Sequence, residues 1–404
     1  MESRVVINSL PQAYQVIKEM NLSAEGWESD YRVAGRDAVR AILEQQMRDR
    51  VSWYLDEMAR LAGGGPLARG VDRRNGSFSR HLVTELGDIE LHIPRTRRFS
   101  PLSVVRAYAR RTRSVDQAIM ACFVLGISTR KVASALLPIL GEPVSATTVS
   151  RVVKSLDQAV AAFHRRPITR RYRFLFLDGV VLKRKTGAGS VKRVVLVALG
   201  ITPEGNKEVI DFFTAFGESQ NAWETFLADL YRRGLDGEGM EMIIVDGGKG
   251  LMSALPLVYP RIPVQRCWAH KVRNVLNYVR KGDYEAVKRD LQAISHAQGS
   301  RQAQTALRRF KERWGSTYPK AVTCLLKDEE NLLTFFQIND PSLWSQIRTT
   351  NAIERRFREV RRRTRPMGVF SDRASMERIL YAVFSYENQQ QGTGTPFLLL
   401  TQTC

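Results

Sequence analysis

Two short stretches of this sequence follow the same pattern: Phe174-Leu175-Phe176-Leu177-Asp178-Gly179 and Met242-Ile243-Ile244-Val245-Asp246-Gly247. Each is an apolar run typical of a buried strand, and each ends in an aspartate followed by a glycine. If the two strands are neighbours in one sheet, both carboxylates emerge at the same edge. Carboxylates held close together repel each other unless a cation lies between them, and Mg²⁺ suits such oxygen ligands. The pattern therefore predicts a metal-dependent site at Asp178 and Asp246.

Each aspartate taken alone also has a simpler structural explanation. Asp178 and the glycine after it fit a tight hairpin turn between two strands. Asp246 and its two following glycines fit an ordinary turn from a strand to a helix. The residues alone leave these alternatives open.

A third acid, Glu354, stands at the head of a strongly basic helix. Residues 348–365 hold eight arginines and two acids. An acid at the head of an arginine stripe indicates a metal site beside a phosphate backbone. The alternative is a capping box, in which Asn351 and Glu354 only cap the helix. Three apolar residues at helical spacing are predicted to face the core: Ile353, Phe357 and Val360.

The composition narrows the class of protein. The 404-residue chain has 62 Lys and Arg against 41 Asp and Glu, a net charge of +21, and 44% hydrophobic residues. This balance predicts a folded protein with a polyanionic partner. Four cysteines make no disulfide framework and indicate a reducing compartment. No apolar run approaches the ~20 residues of a membrane span, and no secretory signal is visible, so membrane and secreted proteins are not expected.

The first half of the chain predicts a helical region interrupted by a hairpin. Alternating residues around 78–93 predict two strands, and residues 93–113 then carry seven arginines and no acid. Three helical segments follow, the third predicted as one helix from the N-cap Ser145 to about Phe163. Polar residues at its start suit contacts to phosphates or base edges, which favours a helix-turn-helix-like DNA-binding region. A plain helical bundle is the alternative.

The second half alternates between strands and helices. From Tyr172 the order is strand, strand, strand, helix, strand, helix, strand, helix, which predicts a mixed sheet with helices on its faces. From about residue 282 to residue 344 the pattern is helical throughout. A final basic helix begins near Thr350.

Taken in order, these motifs resemble the Mutator-type transposases of bacterial insertion sequences, from about residue 30 to residue 385. The matching stretches are Arg74-Asn75-Gly76, Leu177-Asp178-Gly179, Val245-Asp246-Gly247, Gln265-Arg266-Cys267-Trp268-Ala269-His270-Lys271 with Arg273-Asn274, Thr349-Thr350-Asn351-Ala352-Ile353-Glu354-Arg355, Arg361-Arg362-Arg363-Thr364-Arg365 and Gly368-Val369-Phe370. Each motif alone is weak, but the ordered set is highly specific. Phe357 stands where many relatives carry Asn, and Gly248 also departs from the usual pattern; neither departure removes a carboxylate.

The resemblance implies an α/β RNase H-like catalytic core, a mixed five-stranded sheet with helices, which carries an all-α insertion. A mainly α-helical DNA-binding region with a β-hairpin precedes it. The implied activity is that of a DDE transposase, in which Asp178 bridges two Mg²⁺ ions, Asp246 holds one and Glu354 the other, with Mn²⁺ able to substitute. The implied partners are double-stranded DNA, at terminal inverted repeats and at the target, and further copies of the chain in a homodimer or larger assembly. The expected location is the bacterial cytoplasm, on the nucleoid.

The predicted domain organisation has seven parts. They are an N-terminal helical region (1–66), a β-hairpin with a basic linker (67–113), a helix-turn-helix-like DNA-binding region (114–168), the first part of the catalytic core (169–281), an all-helical insertion (282–345), the last part of the core (346–390) and a C-terminal tail (391–404).

Basic and short polar residues in three places are predicted to contact DNA. They are Arg95, Arg97, Arg98, Arg110, Arg111, Arg130, Thr147, Thr148, Arg151, Arg358, Arg361 and Arg365.

The resemblance also identifies Cys267 and His270 as a C-x-x-H motif. One Cys and one His do not make a four-ligand zinc site, so a structural or site-positioning role is favoured over metal binding. Tryptophans in this part of the chain suit core packing better than stacking on a flipped base. Two other functions remain open: a different RNase H-like nuclease or recombinase, and a non-enzymatic DNA-binding regulator derived from a transposase.

Overall fold

A computed structural model describes residues 27–62, 72–105, 110–140, 143–186 and 189–393. The chain divides into two compact units, Met1–Val153 and Lys154–Cys404. The predicted C-terminal tail lies outside the described residues from 394 onward. Among the described helices, none has both the length and the apolar character needed to cross a bilayer.

In its described residues, the first unit contains one long α-helix, a hairpin and three short α-helices. Its elements are α1 (Trp27–Leu61), β1 (Arg74–Thr84), β2 (Gly87–Thr96), α2 (Arg113–Val124), α3 (Thr129–Leu140) and α4 (Ala146–Val153). The two strands pair antiparallel, with Thr84 opposite Gly87. Every second residue of β2 from Ile89 to Ile93 is buried, and this face packs on Met47 of α1. One apolar face of a two-stranded sheet thereby gains the partner that it needs for stability.

The third predicted helix is in fact two helices. Ser145 caps α4 as predicted, since its Oγ accepts a hydrogen bond from the Thr148 amide at 3.1 Å. The helix ends at Val153, and α5 (Leu156–Arg165) belongs to the second unit. The prediction of one continuous helix was therefore wrong. Apolar residues keep a regular helical spacing across the break, which hides it in the sequence.

The second unit is built on a mixed five-stranded sheet, as predicted. Its strands are β3 (Phe174–Thr186), β4 (Gly189–Ile201), β5 (Lys207–Ala215), β6 (Met242–Val245) and β7 (Val264–Arg266), in the spatial order β5-β4-β3-β6-β7. The first three pair antiparallel, and β6 and β7 run parallel to β3. The short β6 is completely buried, which is why it reads as a continuous apolar run.

Helices cover both faces of this sheet. On one face, α6 (Gln220–Arg232) and α7 (Lys249–Val258) pack against Leu175, Leu177 and their neighbours. On the other face, α5 and α15 (Arg373–Gln390) pack against β5, where Phe384 meets Phe212 at a ring-centroid distance of 5.6 Å. The two faces alternate along each strand, so successive residues of β3 enter different cores.

All described elements between β7 and residue 350 are helical. They are α8 (Trp268–Leu276), α9 (Tyr284–Ser295), α10 (Ser300–Trp314), α11 (Pro319–Leu326), α12 (Glu329–Leu333) and α13 (Pro341–Ile347), and they precede α14 (Asn351–Thr364). Trp268 and Trp314 are buried, and Trp344 packs edge-on against Phe335. These contacts agree with the core-packing role that was favoured for the tryptophans.

Candidate active site

Asp178 lies in the middle of a strand, and this differs from the sequence prediction. β3 continues for eight residues beyond Asp178, so the aspartate does not end the strand, and the alternative of a hairpin turn at Asp178-Gly179 is also wrong. The strand continues because Asp178 to Thr186 pair fully with β4 on one side. Asp246 directly follows β6, and the chain then turns into α7.

The register of the sheet brings these two aspartates to the same level. Leu177 of β3 pairs with Val245 of the parallel strand β6, so the next residue on each strand is an acid. Asp178 is 9% exposed, and its pKa is raised to about 7 by burial and by the Asp246 carboxylate. The Glu354 carboxylate contributes to the same increase. Asp178 therefore lies within electrostatic reach of both other acids.

Short backbone contacts hold both aspartates. The Gly179 amide donates to Asp178 Oδ1 at 2.7 Å, and the Gly248 amide donates to Asp246 Oδ1 at 2.9 Å. None of the three acids forms an ion pair with Lys or Arg in the described part of the chain. Their negative charge is thus compensated mainly by backbone amides and by His270.

Glu354 lies in the first turn of α14, which packs against β3. The capping-box alternative is not formed, because the cap residue is Thr350 and no side chain caps the helix. Glu354 Oε1 instead accepts a hydrogen bond from the Thr350 hydroxyl at 3.2 Å. The three apolar residues predicted to face the core are confirmed as buried: Ile353, Phe357 and Val360.

The C-x-x-H motif lies directly beside Glu354. Buried Thr350 connects the groups, because its Oγ1 lies 3.3 Å from Cys267 Sγ and 3.4 Å from His270 Nδ1. The other ring nitrogen of His270 lies 3.8 Å from Glu354 Oε1. A hydrogen bond with Cys267, together with the charges of Cys267, Asp178 and Glu354, raises the pKa of His270.

The electrostatics of this motif favour an ionised pair. Burial by itself raises the pKa of the Cys267 thiol, but hydrogen bonds from His270 and Thr350 outweigh burial and leave it below the usual value. A thiol with a lowered pKa and an imidazole with a raised pKa stabilise each other's charged forms. The motif therefore favours a protonated ring beside Glu354 more than an isolated histidine would.

A buried ion network, which the sequence did not reveal, supports Asp246. The Arg266 guanidinium donates to the Gly247 carbonyl oxygen at 3.1 Å and also pairs with Asp328. Lys271 is almost completely buried and pairs with the same Asp328 carboxylate. Arg266 and Lys271 flank the C-x-x-H motif in the sequence. No pattern pointed to Asp328, which lies more than 50 residues further along the chain.

A further acid, Glu218, also lies near the site and was missed. It stands in the turn between β5 and α6, and its pKa is raised by partial burial and by the Asp246 carboxylate. A single Glu followed by a helix N-cap carries no distinctive signal, so no pattern in the sequence pointed to it.

The residues predicted to contact DNA lie in both units. In the first unit, Arg111 is half-buried and pairs with Asp116 at 2.8 Å, while Arg95 donates to the Asn75 carbonyl oxygen at 3.0 Å. Thr148 is half-exposed beside its cap residue. The others are exposed in their respective units: Arg97, Arg98, Arg110, Arg130, Thr147, Arg151, Arg358, Arg361 and Arg365.

The second unit, which contains the three acids, has a further basic surface that was not predicted. The outer part of the β3–β4 hairpin carries Lys183, Arg184, Lys185, Lys192 and Arg193. The Phe216 ring is 86% exposed beneath the Arg193 guanidinium, at a distance of 4.3 Å. This end of the hairpin is anchored by the loop after α14, since the Phe370 amide donates to the Lys183 carbonyl oxygen at 3.1 Å.

The donor set of the acids suits a hard divalent cation. The three carboxylates supply only oxygen ligands, and they approach one another without a neutralising Lys or Arg in the described residues. Their side chains are not gathered into a ready coordination shell, since no three His, Cys, Asp or Glu groups of the described chain form one. The reason is visible in the contacts, because each carboxylate bonds to its own surroundings and repels the others.

The sequence was compared with known proteins. The family described as "Transposase, Mutator family" matches residues 17–392. The transposase for insertion sequence element IS905 of Lactococcus lactis is 33% identical, over 79% of this chain and 80% of that protein. The transposase for IS406 of Burkholderia multivorans is 30% identical over 98% and 99%, and that for IS1081 of Mycobacterium tuberculosis is 31% identical over 84% and 82%. The matched region covers nearly the whole chain, and this protein belongs to the Mutator family of transposases.

Proposed function

We propose that this protein is a DNA transposase, which binds the terminal inverted repeats of an insertion sequence and catalyses metal-dependent strand cleavage and strand transfer. One observation carries the proposal. Asp178 and Asp246 follow paired residues of adjacent parallel strands, within electrostatic reach of Glu354, in a chain of the Mutator family. The mixed sheet with its helical segment supports assignment of an RNase H-like core with an all-α insertion.

The three acids are proposed to hold two Mg²⁺ ions, with Asp178 shared, Asp246 on one ion and Glu354 on the other; Mn²⁺ is expected to substitute. When bound, these ions lower the pKa of an attacking water or 3′-hydroxyl and stabilise the leaving oxygen. Asp178 and Asp246 are set at one level of the sheet by the strand register, so a cation between them would draw both carboxylates to it. Deprotonation of Asp178 is part of assembling the site, because without a cation its pKa is about 7.

The C-x-x-H motif is proposed to position Glu354. Thr350 connects Cys267, His270 and Glu354 through contacts of 3.2 to 3.4 Å, and His270 Nε2 lies 3.8 Å from the Glu354 carboxylate. α14 carries Glu354 at its first turn and exposed arginines further along. One helix thereby supplies both the third acid and a phosphate-binding surface.

The predicted basic residues of both units and the basic end of the β3–β4 hairpin are proposed to bind the DNA backbone. Two transposon ends must be joined in one reaction, so the active form is proposed to be a homodimer or larger assembly on DNA. The proposed location is the bacterial cytoplasm, on the nucleoid.

Strand cleavage tests the proposal. The substrate is a labelled duplex that carries the element's own terminal repeat, incubated with the full chain in Mg²⁺ or in EDTA. We expect nicking at the repeat boundary in Mg²⁺ only, and its loss in Asp178→Asn, Asp246→Asn and Glu354→Gln with DNA binding retained. Glu312→Gln, an exposed carboxylate in α10, is the matched control and should cleave normally.

The outcomes separate the remaining functions. Cleavage that ignores the terminal repeat would assign a different RNase H-like nuclease. Binding without nicking in any divalent metal would assign a DNA-binding regulator. Near-normal cleavage by one of the three variants would remove that residue from the site.

A further inference from the structure

Three glycines in the two aspartate motifs leave room for Glu218 beside Asp178 and Asp246. A Cβ atom added to Gly179 would collide with the Glu218 carboxylate, whose Cδ would be 3.1 Å away. A Cβ added to Gly250 would collide with the Glu218 carbonyl oxygen and come within 2.8 Å of the Ser219 carbonyl carbon. Neither glycine has a positive φ, so the close approach of Glu218 is the reason for glycine. At Gly250 the backbone of Glu218 leaves no room for a Cβ, and at Gly179 a Cβ would displace the Glu218 carboxylate from its place.

The third glycine, Gly248, lies between the carboxylates of Glu218 and Asp246. A Cβ built on Gly248 would lie 3.5 Å from Asp246 Oδ1 and 3.6 Å from Glu218 Oε2. The two carboxylates therefore border the same small space above the turn. Any side chain at position 248 would occupy that space, and glycine leaves it free.

The backbone on either side of Glu218 is fixed. Ser219 caps α6, because its Oγ accepts a hydrogen bond from the Ala222 amide at 3.2 Å. The residues before Glu218 leave β5 at Ala215. Glu218 thus holds its carboxylate beside Asp246 because of the local fold, although like charges repel.

No Lys or Arg of the described residues pairs with Glu218. Within the described ranges, no hydrogen bond or ion pair of the Glu218 carboxylate is present, in contrast to Glu208, which pairs with Arg170 at 2.8 Å. A fold that holds acids together without a Lys or Arg partner provides oxygen ligands for a cation.

We propose that Glu218 is a fourth carboxylate of the active site and that it joins Asp178 and Asp246 in holding one divalent cation. This inference rests on the proposed function, since it extends the same metal site. It also gives Gly179, Gly248 and Gly250 a common role, because they leave the space in which Glu218 lies next to the aspartates.

Mn²⁺ binding to the full-length protein tests this assignment directly. Free Mn²⁺ is measured by electron paramagnetic resonance during a titration without DNA, for the wild type and for Glu218→Gln. The amide keeps the size of the side chain and removes the charge. We expect the affinity of one Mn²⁺ to fall by about 10-fold to 100-fold, with a parallel increase in the Mg²⁺ concentration that half-saturates strand cleavage.

Thermal unfolding separates a ligand from a structural residue. Without metal, Glu218→Gln should unfold at the same or a higher temperature than the wild type, because it removes one of two neighbouring negative charges. The increase in unfolding temperature on adding Mg²⁺ should be smaller than in the wild type. Glu312→Gln should match the wild type in every measurement. If Glu218→Gln does not fold, Glu218→Asp, which withdraws the carboxylate by one methylene, provides the same comparison.

Asp246→Asn tests the proposed metal site itself, separately from the role of Glu218. Wild-type Mn²⁺ affinity in Glu218→Gln, or lost cleavage with unchanged affinity, overturns the assignment of Glu218 while Asp246→Asn still loses both. If Asp246→Asn also keeps its Mn²⁺ affinity and its cleavage, the proposed function fails at its own metal site.

Discussion

Replacing Asp328 by asparagine should destabilise the catalytic unit and impair its chemistry together. The Asp328 carboxylate is 12% exposed and pairs with two cations, Arg266 and Lys271, whose side chains are 12% and 4% exposed. Removing one partner from a buried ion pair costs about 3–5 kcal/mol, because the remaining charge stays buried without compensation. With an m value of about 2 kcal/mol/M, the urea midpoint should fall by about 2 M.

The matched control is Glu285→Gln, in the same helical segment. Glu285 pairs with Lys288 at 3.6 Å, but its side chain is 80% exposed. Such a pair contributes about 0–1 kcal/mol, so the control should unfold close to the wild type.

A functional effect should accompany the loss of stability. Arg266 also donates to the carbonyl oxygen of Gly247, next to Asp246. Without Asp328, the guanidinium has no carboxylate to hold it there, and the turn that carries Asp246 loses a support. We therefore expect slower single-turnover cleavage at temperatures where Asp328→Asn is fully folded, with unchanged affinity for the terminal repeat. If Asp328→Asn unfolds at the same urea concentration as Glu285→Gln, the reasoning about the buried network is refuted.

Three further predictions concern the same unit. The pKa of Asp178 in the folded protein is about 7, above the 3.8 of an ordinary aspartate, so metal-free stability should fall as pH rises from about 4 to 7 and stay level above. Asp178→Asn should remove this slope and gain up to about 4 kcal/mol at pH 8, measured by urea unfolding. Thr350→Val removes the hydroxyl that connects the C-x-x-H motif to Glu354. We expect strand cleavage about 10-fold to 100-fold slower with unchanged binding to the terminal repeat, and a normal cleavage rate would contradict the positioning role. Alanine at all three exposed lysines of the β3–β4 hairpin, Lys183, Lys185 and Lys192, should weaken DNA binding and reduce the slope of log K against log salt concentration by about 3. An unchanged slope would show that this surface does not contact DNA.

Much of the sheet was predictable because its signals are local. The first four residues of β3, Phe174 to Leu177, and the whole of β6 are apolar, since strands buried on both faces need no alternation. The buried stripe of α14 follows equally from helical spacing. In both cases, each residue's environment depends on neighbours a few positions away, and such patterns survive in a single sequence.

What the sequence did not reveal depends on distant partners. β3 continues past Asp178 because β4 supplies hydrogen bonds, although Asp178-Gly179 reads locally as a turn. Asp328 acquires its role from Arg266 and Lys271, more than 50 residues earlier in the chain. The break after Val153 coincides with the boundary between the two units, and neither Gly nor Pro marks it in the sequence. These features require knowledge of which elements pack together, which no local pattern carries.

The helical segment after β7 supports the site as well as extending the chain. β7 is the edge strand of the sheet, and such an edge exposes unpaired backbone groups. Here the segment covers it: Thr334 Oγ1 donates to the Val264 carbonyl oxygen at 2.9 Å, and buried Gln265 bonds to the Leu332 carbonyl oxygen and the Phe335 amide at 3.1 and 2.8 Å.

The same segment reaches the acids through two routes. Asp328, just before α12, holds Arg266 beneath the Asp246 turn. At the other end of the segment, the Arg348 carbonyl oxygen accepts from the Trp268 amide at 2.9 Å, which fixes the approach to Thr350 and Glu354. Asp246 and Glu354 are separated by this long segment in sequence, yet Asp328 within it pairs with Arg266 of β7, and its beginning and its end are bonded to each other through Trp268 and Arg348. The segment therefore sets the spacing of the second and third acids, because a shift of its helices would move both supports at once.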